Sequence, residues 1–181
     1  MLEDAAGGDA FAELALHIVS QQISTAAALT IFGRVREALG GTVAPAPVIA
    51  TPAEDLRSAA VSGAKVKSLH DLAERVLDGR LSFARITGLD DSAAQRELDE
   101  VRGVGPWSAQ MFILHNLRRP DIFPAADVGL LRAAQSAFAL ARRPTATELA
   151  ARAERWRPFR SYAAALLWAH GTKHPNPKSE T

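Results

Sequence analysis

The chain contains no cysteine. That absence removes disulfides, thiol nucleophiles, cysteine zinc sites and cysteine-ligated iron–sulfur clusters in one step. Long apolar runs are also missing, and none approaches the ~18 residues that a membrane-spanning helix needs. The N-terminal stretch MLEDAAGGDA is acidic and lacks the basic and apolar regions of a signal peptide, so a cytoplasmic location is expected. β-branched residues form no clusters, which leaves no convincing strand. There is neither an internal repeat nor a low-complexity segment. Aromatic residues make up only 6% of the chain, so its three tryptophans stand out.

What is present favours helices. The 181 residues suffice for one domain with a real core, or for two small lobes. Alanine is abundant, and apolar residues recur at helical spacing along nearly the whole chain. About ten helices and an all-α domain are expected. Asp9 reads as the cap of a first helix that carries Phe11, Leu14 and Ile18 on one face. A second helix runs from Ser24 or Thr25 to Leu39, and TVAPAPVIA reads as a proline-rich loop. Thr51-Pro52 with Glu54 reads as a helix start. Net charge is +1, but residues 1–100 hold 9 Lys+Arg against 15 Asp+Glu, and residues 101–181 hold 12 against 5. A basic half beside an acidic half suits a polyanionic partner, although solvated surface charge explains it equally well.

VRGVGPWSAQMF, residues 101–112, lies between two amphipathic segments and reads as a helix–hairpin–helix. Gly103 and Gly105 permit positive φ and remove Cβ atoms that block close approach. Pro106 suits the first position of the next helix. With Val104, the glycines then place N–H groups at a helix N-terminus, where an anion such as a DNA phosphate binds without regard to sequence. The plain alternative is an αα-hairpin with a glycine turn. Downstream, FPAAD delivers Asp127 to another helix start. Asp127 reads as an N-cap, and a carboxylate fixed in that way can also stabilise developing positive charge.

Taken together, HIVSQQIS, SGAKVKSLHDLA, VRGVGPWSAQMF, RPDIFPAADVGLLRA and WRPFRSYAAALLW resemble the helix–hairpin–helix DNA glycosylase superfamily. Within it they look most like the 3-methyladenine DNA glycosylase II group. The segments occur in family order from about residue 10 to 170. The resemblance implies two helical lobes around a cleft, within one domain over 1–172. The expected subdomains are about 22–126 and the N-terminal helix plus 127–172, followed by a flexible tail over 173–181. It implies a monomer that flips damaged bases out of double-stranded DNA and hydrolyses the N-glycosidic bond, with no required cofactor and no membrane association. Longer family members carry an extra β-rich lobe before the first matched helix. This chain starts at that helix, as a compact or shortened form, and less covered DNA is expected.

The resemblance also implies roles for individual residues. Asp127 matches the catalytic carboxylate. Trp107 and Trp168 match tryptophans of the base pocket, where aromatic faces attract a cationic alkylpurine. Both also suit a buried core position. Met111 stands where the family often has tyrosine, which leaves the damage preference open. Gln22 matches the wedge that fills the gap left by the flipped base, and Lys65 matches a phosphate-contact lysine. A polar loop residue and a solvated lysine are the plain alternatives. Arg160 and Ser161 read as packing or cleft-lining groups. Lyase members place a nucleophilic lysine two residues after the second hairpin glycine, and Trp107 stands there instead. Neither Arg102 nor Ser108 replaces that lysine, so a monofunctional hydrolase is expected. Family hairpins can hold a structural monovalent cation on backbone carbonyls near Gly103. No metal site is expected from the five histidines, because Gly171 and Pro175 break the helix that would align His170 with His174. A glycosylase for a deaminated or oxidised base and a non-catalytic damage-binding protein remain the alternatives.

Overall fold

The computed structural model describes residues 3–173, with side chains from residue 10 onward. Every regular element among them is helical. The chain divides into two compact units, one ending at Leu117 and one starting at Arg118. The expected tail lies, from residue 174 on, outside the described residues, and so does His174.

The first unit is organised around α1 (Glu3–Ser20), which packs against α2 (Thr25–Ala38), α5 (Gly63–Leu77), α6 (Phe83–Thr87) and α8 (Pro106–His115). Short α3 (Pro45–Ala50) lies on α5, α4 (Ala53–Ser58) sits beside α2 and α5, and α7 (Asp91–Asp99) pairs with α8. Phe11, Leu14 and Ile18 are fully buried, as their spacing on one face requires. Each such side chain contributes roughly 1.5–3 kcal/mol of burial. This burial ties the N-terminal helix to the first unit, whereas the sequence reading had grouped it with residues 127–172. The helix also begins at Glu3, so Asp9 lies inside it and is not its cap.

Side-chain caps set most of the other starts. Ser24, Ser62, Ser82 and Asp90 accept N–H groups at the starts of α2, α5, α6 and α7. Two expectations fail between α2 and α5. The proline-rich loop contains α3, where Pro45 occupies the first turn and Val48 is buried. Thr51 does not cap α4, because its hydroxyl donates to the Pro47 carbonyl at the end of α3 (2.9 Å).

The second unit contains α9 (Val128–Ala137), α10 (Ala146–Ala153), one 3-10 turn (Glu154–Trp156) and α11 (Arg160–Lys173). A full capping box of Thr145 and Glu148 starts α10. α11 packs along α9 and continues through Gly171, where a break was expected. A Cβ on Gly171 would sit 3.1 Å from that of Ala133, so glycine admits the close approach. The loop before α9 is pinned by α11. Arg160 donates to both carboxylate oxygens and the backbone carbonyl of Asp121, and Ser161 donates to the Arg119 carbonyl (2.6 Å). The Arg160 guanidinium holds the Asp121 carboxyl below the usual carboxylate range.

Candidate functional site

On the second unit, two backbone turns, Ala125 N–H to Phe123 and Asp127 N–H to Pro124, bring the chain to the start of α9. Asp127 is the N-cap, and its Oδ1 accepts the Leu130 N–H (2.8 Å). The same oxygen accepts the indole N–H of Trp168 from α11 (2.9 Å). Backbone and indole together fix the orientation of this half-buried carboxylate. Gly129 makes room for the pair, because a Cβ there would lie 2.9 Å from Asp127 Oδ1 and 3.5 Å from the Trp168 ring. Asp127 and Trp168, both singled out in the sequence, therefore form one hydrogen-bonded pair. Gly129 was not singled out in the sequence, although it stands two residues after the carboxylate.

On the first unit, the hairpin joins α7 to α8. Gly103 adopts φ +75°, and a Cβ there would collide with the Ser68 hydroxyl, so conformation and space both demand glycine. Gly105 differs from expectation. Its φ of −107° is open to any residue, and nothing lies within 4 Å of its missing Cβ. The Val104 side chain is buried, and its N–H closes the turn onto Val101 (3.0 Å). Asp71 accepts the Arg102 N–H (2.8 Å), which fastens the turn to α5. α8 begins at Gly105 with Pro106 in its first turn and no capping side chain.

Trp107 and Met111 are one helical turn apart on α8, and both are half-buried. Trp107 meets the ring of His17 edge-on at 6.4 Å, and His17 stacks on His115 at 6.4 Å. His17 is buried, and its Nε2 has no hydrogen-bond partner. Burial first, and then His115, pull its pKa from 6.5 to about 4.

The loop after α1 carries a residue that sequence reasoning passed over. The Gln21 amide donates to the Gly103 carbonyl (2.8 Å) and to the Ser108 hydroxyl (2.9 Å), bridging 82 and 87 residues. Gln22 is exposed and left-handed, at φ +60°. Lys65 from α5 donates to the Val19 and Gln21 carbonyls (2.7 and 2.9 Å). Its partial burial holds the ammonium below the ordinary lysine range. Among the described residues, no cluster of three or more His, Asp or Glu could hold a metal ion. No described helix is long and apolar enough to cross a membrane.

Residues 16–158 match the family model described as HhH-GPD superfamily base excision DNA repair protein. A Bacillus subtilis relative named putative DNA-3-methyladenine glycosylase YfjP is 29% identical over 83% of this chain and 55% of its own length. A Mycobacterium tuberculosis relative, named probable bifunctional transcriptional activator/DNA repair enzyme AlkA, is 36% identical over 87% of this chain and 32% of its own length. The chain thus spans about half of the first relative and a third of the second. The solved Schizosaccharomyces pombe 3-methyladenine DNA glycosylase Mag1, in complex with abasic DNA, superposes with a TM-score of 0.85. It shares 26% identity, covering 90% of this chain and 81% of that one.

Proposed function

The chain belongs to the HhH-GPD superfamily of base excision DNA repair proteins, and on that footing we propose that it is a monofunctional DNA glycosylase for alkylated bases. The observation that carries the proposal is the Asp127–Trp168 pair, a carboxylate held by a backbone N–H and an indole N–H at a helix start. A helix start that needed only a cap would not need an indole from a second helix on the same oxygen.

In this reading, double-stranded DNA is held through its backbone at the hairpin, where the uncapped first turn of α8 meets a phosphate. The open space beside Gly105 lets the phosphate approach. Gln22 enters the gap left by the flipped nucleotide. Trp107, Met111 and Trp168 are the residues that the family pattern gives to the extruded base, and the indole face of Trp107 attracts an alkylpurine that carries positive charge. The C1′–N bond breaks, and its electron pair leaves with the base, which becomes neutral. The sugar becomes oxocarbenium-like, and the Asp127 carboxylate stabilises that charge while water attacks C1′. The product is an abasic site, and the water gives up one proton.

The position that a lyase would fill with lysine holds Trp107, so no Schiff base forms and the strand stays intact. A monovalent cation on the hairpin carbonyls would be structural. The Gly103 carbonyl, which accepts the Gln21 amide, would offer its second lone pair to such an ion. No catalytic step passes through it.

The test is release of free base from methylated duplex DNA. Wild type should release 3-methyladenine or 7-methylguanine. Asp127→Asn should lose release by a factor of about 100 or more while still binding DNA. Equal turnover by the variant would remove Asp127 from the mechanism, and release of only deaminated or oxidised bases would reassign the lesion.

A further inference from the structure

We propose that Lys65 and Gln21 are positioning residues which lock Gln22 in its left-handed conformation and join it to the hairpin, so that the wedge and the phosphate-binding turn move as one body. This rests on the glycosylase reading for the identity of the wedge.

The geometry is specific. Gln22 sits at φ +60°, a conformation that a residue with a Cβ keeps only when its surroundings over-determine it. The residue before it is held at both ends. The Gln21 carbonyl accepts Lys65 Nζ, and the Gln21 amide donates to Gly103 and Ser108. Lys65 also donates to the Val19 carbonyl in the last turn of α1.

Electrostatics explains why a lysine stands there. Lys65 occupies the first turn of α5, where the helix dipole disfavours a cation. Its chain crosses to the end of α1, where unpaired carbonyls and the negative pole of that helix favour one. An ammonium already donating to two carbonyls is poorly placed to serve as a phosphate ligand. The SQQIS and SxxK segments, separate in the sequence, thus form one device. The first glutamine fastens the turn, and the second projects from it.

The experiment compares wild type, Lys65→Met, Gln22→Ala and the double variant. Single-turnover base release is read on methylated duplex. Affinity for undamaged duplex is read over a series of salt concentrations. Lys65→Met should slow release by about tenfold. It should leave the slope of log affinity against log salt unchanged, where loss of a phosphate contact lowers the slope by about 0.9. In the Gln22→Ala background, which has no wedge side chain to hold, adding Lys65→Met should change release by less than about twofold. A slope reduced by about one, or an undiminished effect in the Gln22→Ala background, overturns the proposal. If Lys65→Met does not fold, Lys65→Gln carries the same readouts: its amide nitrogen stands one atom closer to the backbone than the ammonium and cannot donate to both the Val19 and the Gln21 carbonyls. Should wild type release no base, the glycosylase reading fails by itself. Insertion of Gln22 is then read from 2-aminopurine fluorescence opposite an abasic site, which needs no bond cleavage. An identical signal from wild type and Lys65→Met in that assay also overturns the lock.

Discussion

Gly129, in the first turn of α9, stands beside the two groups that define the carboxylate site, and its replacement bears on both activity and stability. A methyl group there would sit 2.9 Å from Asp127 Oδ1, so the carboxylate or the Trp168 ring must shift. The same change favours the helix, because alanine replacing glycine stabilises a helical position by up to ~1 kcal/mol. The displaced oxygen is also the cap of α9, worth about 0.5–2 kcal/mol, so Gly129→Ala is expected to shift the melting temperature little while base release falls by about tenfold or more. Calorimetry and a single-turnover assay on the same sample read both effects. A variant that melts as wild type does and still excises at the wild-type rate would show that the Asp127–Trp168 geometry does not limit catalysis.

At the scale of the element, the two hairpin glycines do different jobs. Gly103→Ala places a Cβ at φ +75° and against Ser68, so it should lower stability by about 1–3 kcal/mol in urea denaturation. Ser68→Ala should recover part of that loss by removing the colliding hydroxyl. A Cβ at Gly105 meets nothing within 4 Å, so Gly105→Ala should lower stability by no more than about 1 kcal/mol, the difference between glycine and alanine at a helix N-cap. It should weaken binding to undamaged and methylated DNA by the same factor, measured side by side by anisotropy. A loss confined to methylated DNA would move Gly105 from phosphate contact to lesion recognition. The starts of α2, α8 and α9 were legible because each follows a local signal: a serine or aspartate cap, or a proline in the first turn. α3 was hidden because prolines that start a helix also mark a loop, and only burial of Val48 against neighbouring helices decides between them. Asp127 was legible for the same local reason. Gln21 and Gly129 were not, because Gln21 bonds across more than 80 residues and Gly129 matters only once Trp168 reaches Asp127 from α11.

At the scale of the whole molecule, the buried imidazole of His17 contributes to how the fold responds to acid. The first unit closes over this ring, leaving Nε2 without a partner and His115 stacked beside it. The folded protein therefore keeps His17 neutral down to about pH 4, whereas the unfolded chain takes up its proton near 6.5. Between those values the unfolded state holds more protons, so stability is fully present above pH 6.5 and declines as pH falls towards 4. His115 is also lowered by burial, with Glu13 opposing, and it adds to the loss in the same direction. At about 1.4 kcal/mol per pH unit, His17 alone lowers the unfolding free energy by roughly 2 kcal/mol between pH 6.5 and 4.5. His17→Leu removes both the titration and the unsatisfied nitrogen while keeping a side chain of similar volume. It should match or exceed wild-type stability at pH 7.5 and lose less of it at pH 4.5. Urea denaturation at the two pH values measures this. Parallel losses in the two proteins would place the acid sensitivity in other groups, and a wild type equally stable at both values would mean that His17 is reached by water in the folded state.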